Sequence, residues 1–237
     1  MSHRVEHGSP ERRRPRGLPR AIDATLAALG LWTTAPLLGL AALAVRATSP
    51  GPILFRQTRI GRGGRPFTLL KLRTMRRDGD GDGAAVTAAG DRRVTTIGRV
   101  LRKTKLDELP QLWNVLRGDL ALVGPRPEVP RFVDRDDDAW RDVLAVRPGL
   151  TDPVTLRLRN EEAVLRALGG EPEEAYRRLL PWKLAGAREA QARRSALGDL
   201  GVLAATIRAI LRPLPTPDLH EIECAADLRD DGPEPTA

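Results

Sequence analysis

Hydrophobic positions in this chain fall into one long block and several short periodic runs. The block is Ala24 to Val45, 22 positions without a charge, long enough as a straight helix to reach across a bilayer. Pro36 sits near its middle, where it removes a backbone hydrogen bond and kinks or breaks a helix. Basic residues crowd both flanks: Arg12, Arg13, Arg14, Arg16 and Arg20 before the block, Arg46, Arg56, Arg59 and Arg62 after it. A single crossing cannot keep both flanks on the positive side of a membrane. A helix broken at Pro36 that dips into one leaflet and returns satisfies both, and residues 20–46 are expected to form such a re-entrant membrane helix. The rivals are a plain transmembrane span, a buried core helix, which the flanking arginines disfavour, and a secretory signal with Ala42-Leu43-Ala44 as its cleavage site. The run is long for the last, whose apolar region is about 7–15 residues.

Beyond the break at Ser49-Pro-Gly-Pro52, Ile53 to Ile60 reads as a strand, Gly61-Arg-Gly-Gly-Arg65 as a turn and Phe67 to Leu72 as the returning strand. Two-residue alternation places Lys71 and Arg73 on one face. Helical patterns follow at Thr96 to Lys103, from Asn160 with Glu161 and Glu162 in the first turn, and at Leu179 to Ala196. Leu197 to Leu211 is amphipathic, suited to the core or to a membrane interface. The fold class expected is α+β, mostly helical, with a small β-hairpin. Residues 1–19 read as a disordered basic arm, 47–215 as a cytoplasmic domain and 216–237 as a disordered acidic tail.

Composition narrows the chemistry. The 237 residues carry a net charge of +8, mostly arginine, and only 3% aromatics. An anionic partner is implied, but nucleic-acid binding by base stacking is not, because it needs aromatic platforms. The single cysteine, Cys224, allows no internal disulfide. His3, His7 and His220 all lie in the polar ends, so a histidine-centred triad or zinc site in the core is not expected. Asp78-Gly-Asp-Gly-Asp-Gly83 imitates half a calcium loop, but its twelfth position is Ala89 where a bidentate Glu is required.

The densest chemistry lies in Lys105-Leu-Asp-Glu-Leu-Pro-Gln-Leu-Trp-Asn-Val-Leu-Arg-Gly-Asp119 and the Gly124-Pro-Arg-Pro127 that follows. Two adjacent carboxylates, Asp107 and Glu108, stand among arginines, a pattern suited to phosphate-ester chemistry with a divalent cation. Thr104-Lys-Leu-Asp107 also fits a helix cap, in which case the pair would merely favour a helix N-terminus. With Ser49-Pro-Gly-Pro52, Lys71-Leu-Arg-Thr-Met75 and Arg147-Pro-Gly-Leu-Thr151, the run resembles the bacterial sugar transferases, the monotopic polyprenyl-phosphate phosphoglycosyl transferases, over roughly residues 20 to 211. Ala35-Pro36 keeps the proline of that family's Ser-Pro helix break and lacks its serine.

The resemblance implies an enzyme at the cytoplasmic face of the bacterial inner membrane. It would move a sugar-1-phosphate from a UDP-sugar to polyprenyl phosphate and release UMP, with membrane phospholipid as a further partner and no nucleic acid. It implies Asp107 as nucleophile, Glu108 as ligand of Mg2+, and Arg102, Arg126, Arg147, Lys71 and Arg73 as phosphate binders. The prolines around Arg126 restrict its backbone and favour a fixed guanidinium fork. After Thr151 the commoner Gly-x-Ala-Gln-Val-Asn-Gly-Arg-Asn pattern is replaced by Asp152-Pro-Val-Thr-Leu-Arg-Leu-Arg-Asn160, as in another branch, so the sugar is left open. A homodimer is left open as well. The competing reading is a non-catalytic basic protein, membrane-anchored, that binds nucleic acid or a lipid surface.

Overall fold

The computed structural model describes residues 17–76 and 90–211, with residues 219, 220, 222, 224 and 225. Most of the basic arm and the Asp78–Gly83 loop lie outside these. The first element, α1 (Arg20–Thr48), is 29 residues long and helical from end to end with Pro36 inside it. Pro36 therefore does not divide it into two helices, as the sequence led us to expect. One turn earlier, the Thr33 and Thr34 hydroxyls donate to the carbonyls of Leu29 (2.9 Å) and Gly30 (2.6 Å), and the helix continues past the lost N–H. Such back-bonding is a known source of helix bending.

Strands β1 (Leu54–Ile60) and β2 (Pro66–Leu72) pair antiparallel, Leu54 opposite Leu72 and Ile60 opposite Pro66, as their patterns predict. Helix α2 (Thr96–Thr104) starts on Thr95, whose hydroxyl accepts from the Gly98 N–H. Helix α3 (Gln111–Arg117) lies beside β2. There buried Asn114 accepts from the Leu70 N–H at 3.1 Å and donates to the Thr68 carbonyl at 2.7 Å, doing for the sheet edge what a further strand would do. Strands β3 (Ala121–Val123) and β4 (Gly149–Thr151) form a short parallel ladder, with α4 (Asp138–Leu144) between them in sequence. The remaining helices are α5 (Pro153–Arg157), α6 (Glu161–Leu168), α7 (Pro172–Ala192) and α8 (Ala196–Leu211). Helix α7 begins earlier than its pattern suggests. Pro172 fills the first helical position, where no N–H is missed, and Glu173 and Glu174 favour its positive end.

The main core gathers Val154, Leu158, Val164, Leu165, Tyr176, Leu179 and Trp182 from α5, α6 and α7. Leu219, Ile222 and Ala225 pack on it too, in the stretch read as a disordered tail. A second cluster joins α1, β2, α3 and β3 through Ala27, Leu69, Val115, Leu120 and Leu122. Helix α1 lays Ala27, Ala41 and Val45 on the body and exposes the larger Trp32, Leu40 and Leu43. It is the one described helix long and apolar enough to cross a membrane.

Candidate active site

Helix α2 ends where Lys105 turns left-handed (φ 60°), the one non-glycine residue with positive φ among those described. Such a conformation costs on the order of 1–3 kcal/mol and persists only where the surroundings impose it. It throws the chain into a single 3-10 turn, Leu106–Glu108. The cap alternative for Asp107 and Glu108 thus fails: Thr104 closes α2 with its hydroxyl on the Val100 carbonyl, and the carboxylates occupy the link between two helices.

The two acids meet opposite surroundings. Glu108 accepts from Lys71 Nζ at 3.2 Å and from both terminal nitrogens of Arg126, at 2.8 and 3.3 Å. Burial alone would raise its pKa, but Arg126, Lys71 and Lys105 outweigh burial and hold it well below the usual range. Asp107 is buried, and its Oδ1 has no hydrogen-bond partner. Its pKa is raised by burial and then by the charge of Glu108, against the pull of Lys71, Lys105 and Arg102. Burial also lowers the pKa of Lys71, which Glu108 partly restores. An unpartnered buried carboxylate costs stability, so the fold tolerates Asp107 rather than depending on it.

Arg126 is fixed from behind. Its N–H donates to Asp152 Oδ2 at 3.0 Å, while Asp152 Oδ1 caps α5 by accepting from the Thr155 N–H at 2.8 Å. Behind Arg126 lies a sealed charge cluster. Lys183 pairs with Glu128 at 2.7 Å and with Glu161 at 3.2 Å, and also bonds the Tyr176 hydroxyl. Arg59 lies 3.6 Å from Glu128. Burial pushes the Glu128 pKa up, but Lys183 and Arg59 bring it below its ordinary value.

Of the predicted phosphate binders, Lys71 and Arg126 come together on Glu108. Arg102 stands on the same cleft with Nε on the Thr74 hydroxyl (2.9 Å) and Nη1 on Glu162 (2.7 Å). Arg73 also lines the cleft but is buried, its fork on the carbonyls of Ser49 (2.7 Å) and Pro50 (2.6 Å), where it fastens the end of α1. Arg147 does not line the cleft. Its charged neighbours are Arg20, Asp23, Arg62 and Arg194. The parallel strands β3 and β4 come close here: a Cβ on Gly149 would sit 2.2 Å from the Gly124 nitrogen and one on Gly124 would sit 2.7 Å from the Arg147 carbonyl oxygen. From that contact Arg126 enters the cleft and Arg147 leaves on another side. The sequence reading missed Glu128, Tyr176 and Lys183, and of Asp152 it saw no role; its Asp-Pro-x-Thr cap pattern was the available signal.

No group of three or more His, Cys, Asp or Glu side chains suited to a metal exists among the described residues. Mg2+ often takes only one or two protein carboxylates and completes its shell with phosphate oxygens and water. A carboxylate has about four acceptor positions, and the contacts from Lys71 and Arg126 occupy three on Glu108. With the unpartnered oxygen of Asp107 next to it, the pair suits such a cation.

The profile described as bacterial sugar transferase matches residues 15–213. The chain belongs to this family. Over 141 residues it is 52% identical to a UDP-glucose:undecaprenyl-phosphate glucose-1-phosphate transferase of Caulobacter vibrioides, covering 58% of this chain and 53% of that one. It is 40% identical over 139 residues to a UDP-N-acetylgalactosamine-undecaprenyl-phosphate N-acetylgalactosaminephosphotransferase of Aeromonas hydrophila, covering 56% and 32%. A Bacillus subtilis protein named a putative undecaprenyl-phosphate N-acetylgalactosaminyl 1-phosphate transferase is 42% identical over 118 residues, covering 50% and 66%. This sugar transferase thus matches about half, or less, of the length of the first two.

Proposed function

We propose that this sugar transferase moves a sugar-1-phosphate from a UDP-sugar to undecaprenyl phosphate, and that Asp107 carries the phospho-sugar between them. The observation that carries the reading is the unpartnered buried oxygen of Asp107 beside a cation-held Glu108. In the first displacement a carboxylate oxygen of Asp107 attacks the sugar-bearing phosphorus, the bond to the bridging oxygen breaks, and UMP leaves. In the second, a phosphate oxygen of the lipid attacks the same phosphorus and the Asp107 carboxylate is regenerated. Two displacements replace one hindered attack on a charged pyrophosphate.

Arg126 and Lys71 are aligned by Glu108 before substrate arrives and face charge that builds on the phosphoryl oxygens. Arg102 would take a phosphate, with Glu162 as its partner in the absence of one. Mg2+ on Glu108, when bound, would neutralise charge on the departing nucleotide.

Membrane association follows the same reading. Both ends of α1 are tied to one body, Arg20 to the Leu116 carbonyl and Ser49 to Arg73. That favours a helix bent near Pro36 that dips into one leaflet and keeps both ends on one side over a helix that crosses. The exposed Leu197, Leu200, Ile207 and Ile210 of α8 would meet the interface, with the catalytic face toward the cytoplasm.

The test is incubation of the detergent-solubilised protein with Mg2+, undecaprenyl phosphate and a panel of UDP-sugars. Mg2+-dependent UMP release that turns over only with the lipid, and that without it stops at about one UMP per enzyme with a phospho-sugar adduct on Asp107, supports the reading. Turnover without any such adduct would point to direct attack by the lipid. Salt-sensitive nucleic-acid binding without turnover would support the non-catalytic alternative.

A further inference from the structure

Glu161 and Glu162 open helix α6 and pair with different cations of the cleft. Glu162 Oε1 lies 2.7 Å from Arg102 Nη1, whereas Glu161 Oε2 lies 3.2 Å from Lys183 Nζ. Lys183 is itself sealed, its side chain 9% exposed and held by Glu128 at 2.7 Å, while Glu161 keeps 35% of its side chain open. Both line the same cleft as Asp107 and Glu108. An anionic group there repels phosphate, and although Arg126 feels its charge, Lys71, Arg126 and Arg102 pair with Glu108 and Glu162 rather than with it. What a half-open carboxylate next to a sealed ammonium suits is a neutral donor of hydrogen bonds. In a nucleotide sugar the hydroxyls of the hexosyl ring and of the ribose are such donors.

We propose that Glu161 is a specificity-determining residue that accepts a hydrogen bond from a donor-substrate hydroxyl, with Lys183 as the positioning residue that fixes its carboxylate. This rests on the transferase reading and deepens it. The matched relatives are named for different sugars, glucose and N-acetylgalactosamine, so hydroxyl configuration is the property such a residue would read. A site built to bind a hydroxyl rejects the analogue lacking it much more strongly than an apolar pocket rejects a missing methylene.

The experiment measures kcat/KM for UMP release by the full chain with the best UDP-hexose of the panel, its monodeoxy-hexose analogues, and its 2′- and 3′-deoxyribose analogues. The parent protein should lose about tenfold or more when one particular hydroxyl is removed. Glu161→Gln should lose a comparable factor on the intact donor and nothing further on that analogue, with Glu161→Asp intermediate. Loss of coupling in the hexose series assigns Glu161 to the transferred sugar; loss in the ribose series assigns it to the nucleoside. If Glu161→Gln and Glu161→Asp keep the parental ratio for every analogue, whatever their overall rate, Glu161 reads no hydroxyl and the proposal is overturned. A parent that discriminates against none of the analogues overturns it equally. A parent that releases no UMP from any donor is a different outcome, which removes the transferase reading itself.

Discussion

Two charge clusters lie side by side in the cleft, and they are built differently. Around Glu128, every charge has an opposite partner and the surface is closed: Glu128 is 5% and Lys183 9% exposed. Around Glu108, cations outnumber engaged anions, and the adjacent Asp107 has an oxygen with no partner at all. The first arrangement has its charges balanced without a ligand and leaves open only its outer member, Glu161. On the proposed function, the second is completed by a substrate that brings phosphate oxygens to the cations and an electrophilic phosphorus to Asp107. Unequal pairing, more than burial or charge density, separates the reactive cluster from the supporting one.

The comparison is broken or sharpened by substitution. The largest effect is expected from Asp107→Asn, which should lower UMP release at least about 10³-fold without lowering the melting temperature. The sign follows from the raised pKa of Asp107. The folded state favours its protonated form, so this residue's contribution to stability falls as pH rises through the folded-state pKa, and a neutral amide removes that penalty at pH 7. A variant that melts markedly lower would mean Asp107 belongs to the structural class.

Glu128→Gln should do the reverse, costing about 3–5 kcal/mol in denaturant unfolding by leaving Arg59 without its counter-charge and Lys183 with Glu161 alone. A cost below about 1 kcal/mol would erase the distinction. Arg126→Lys keeps the charge and loses the two-pronged contact with Glu108, so kcat/KM should fall about 10²-fold while the protein stays folded by circular dichroism.

A subtler test is the pH dependence of the protein's stability. Measured without metal, the parent should lose stability relative to Asp107→Asn as pH rises through the raised Asp107 pKa, and Glu108→Gln should shrink that loss because the charge of Glu108 helps to raise it. The smallest effect is expected for Arg147→Ala, less than about threefold in UMP release, since its side chain is outside the cleft.

Much of this was legible in the chain because the signals were local. The β1–β2 hairpin announced itself by two runs around a glycine turn, and α8 by its apolar spacing. Asp107, Glu108, Lys71 and Arg126 were legible as one site through motifs, although the direct grip of Lys71 and Arg126 on Glu108 was not. Strands β3 and β4, three residues each, are too short for any period to register. Glu128 and Lys183 stand 55 residues apart, and nothing local in either segment points to the other. Arg147 shows the limit of the motif argument. A neighbouring Pro-Gly restricts the backbone but does not say which way the side chain leaves, and here the side chain stays out of the cleft that Lys71 and Arg126 line.

The contact between Gly124 and Gly149 has one more implication. Each of the two arginine-bearing signatures contributes the hydrogen atom against which the other rests, so they are mechanically a single joint rather than two separate motifs. A methyl group on either glycine would force the strands apart and swing the Arg126 fork off Glu108. Catalysis would then be lost through a residue that never meets substrate.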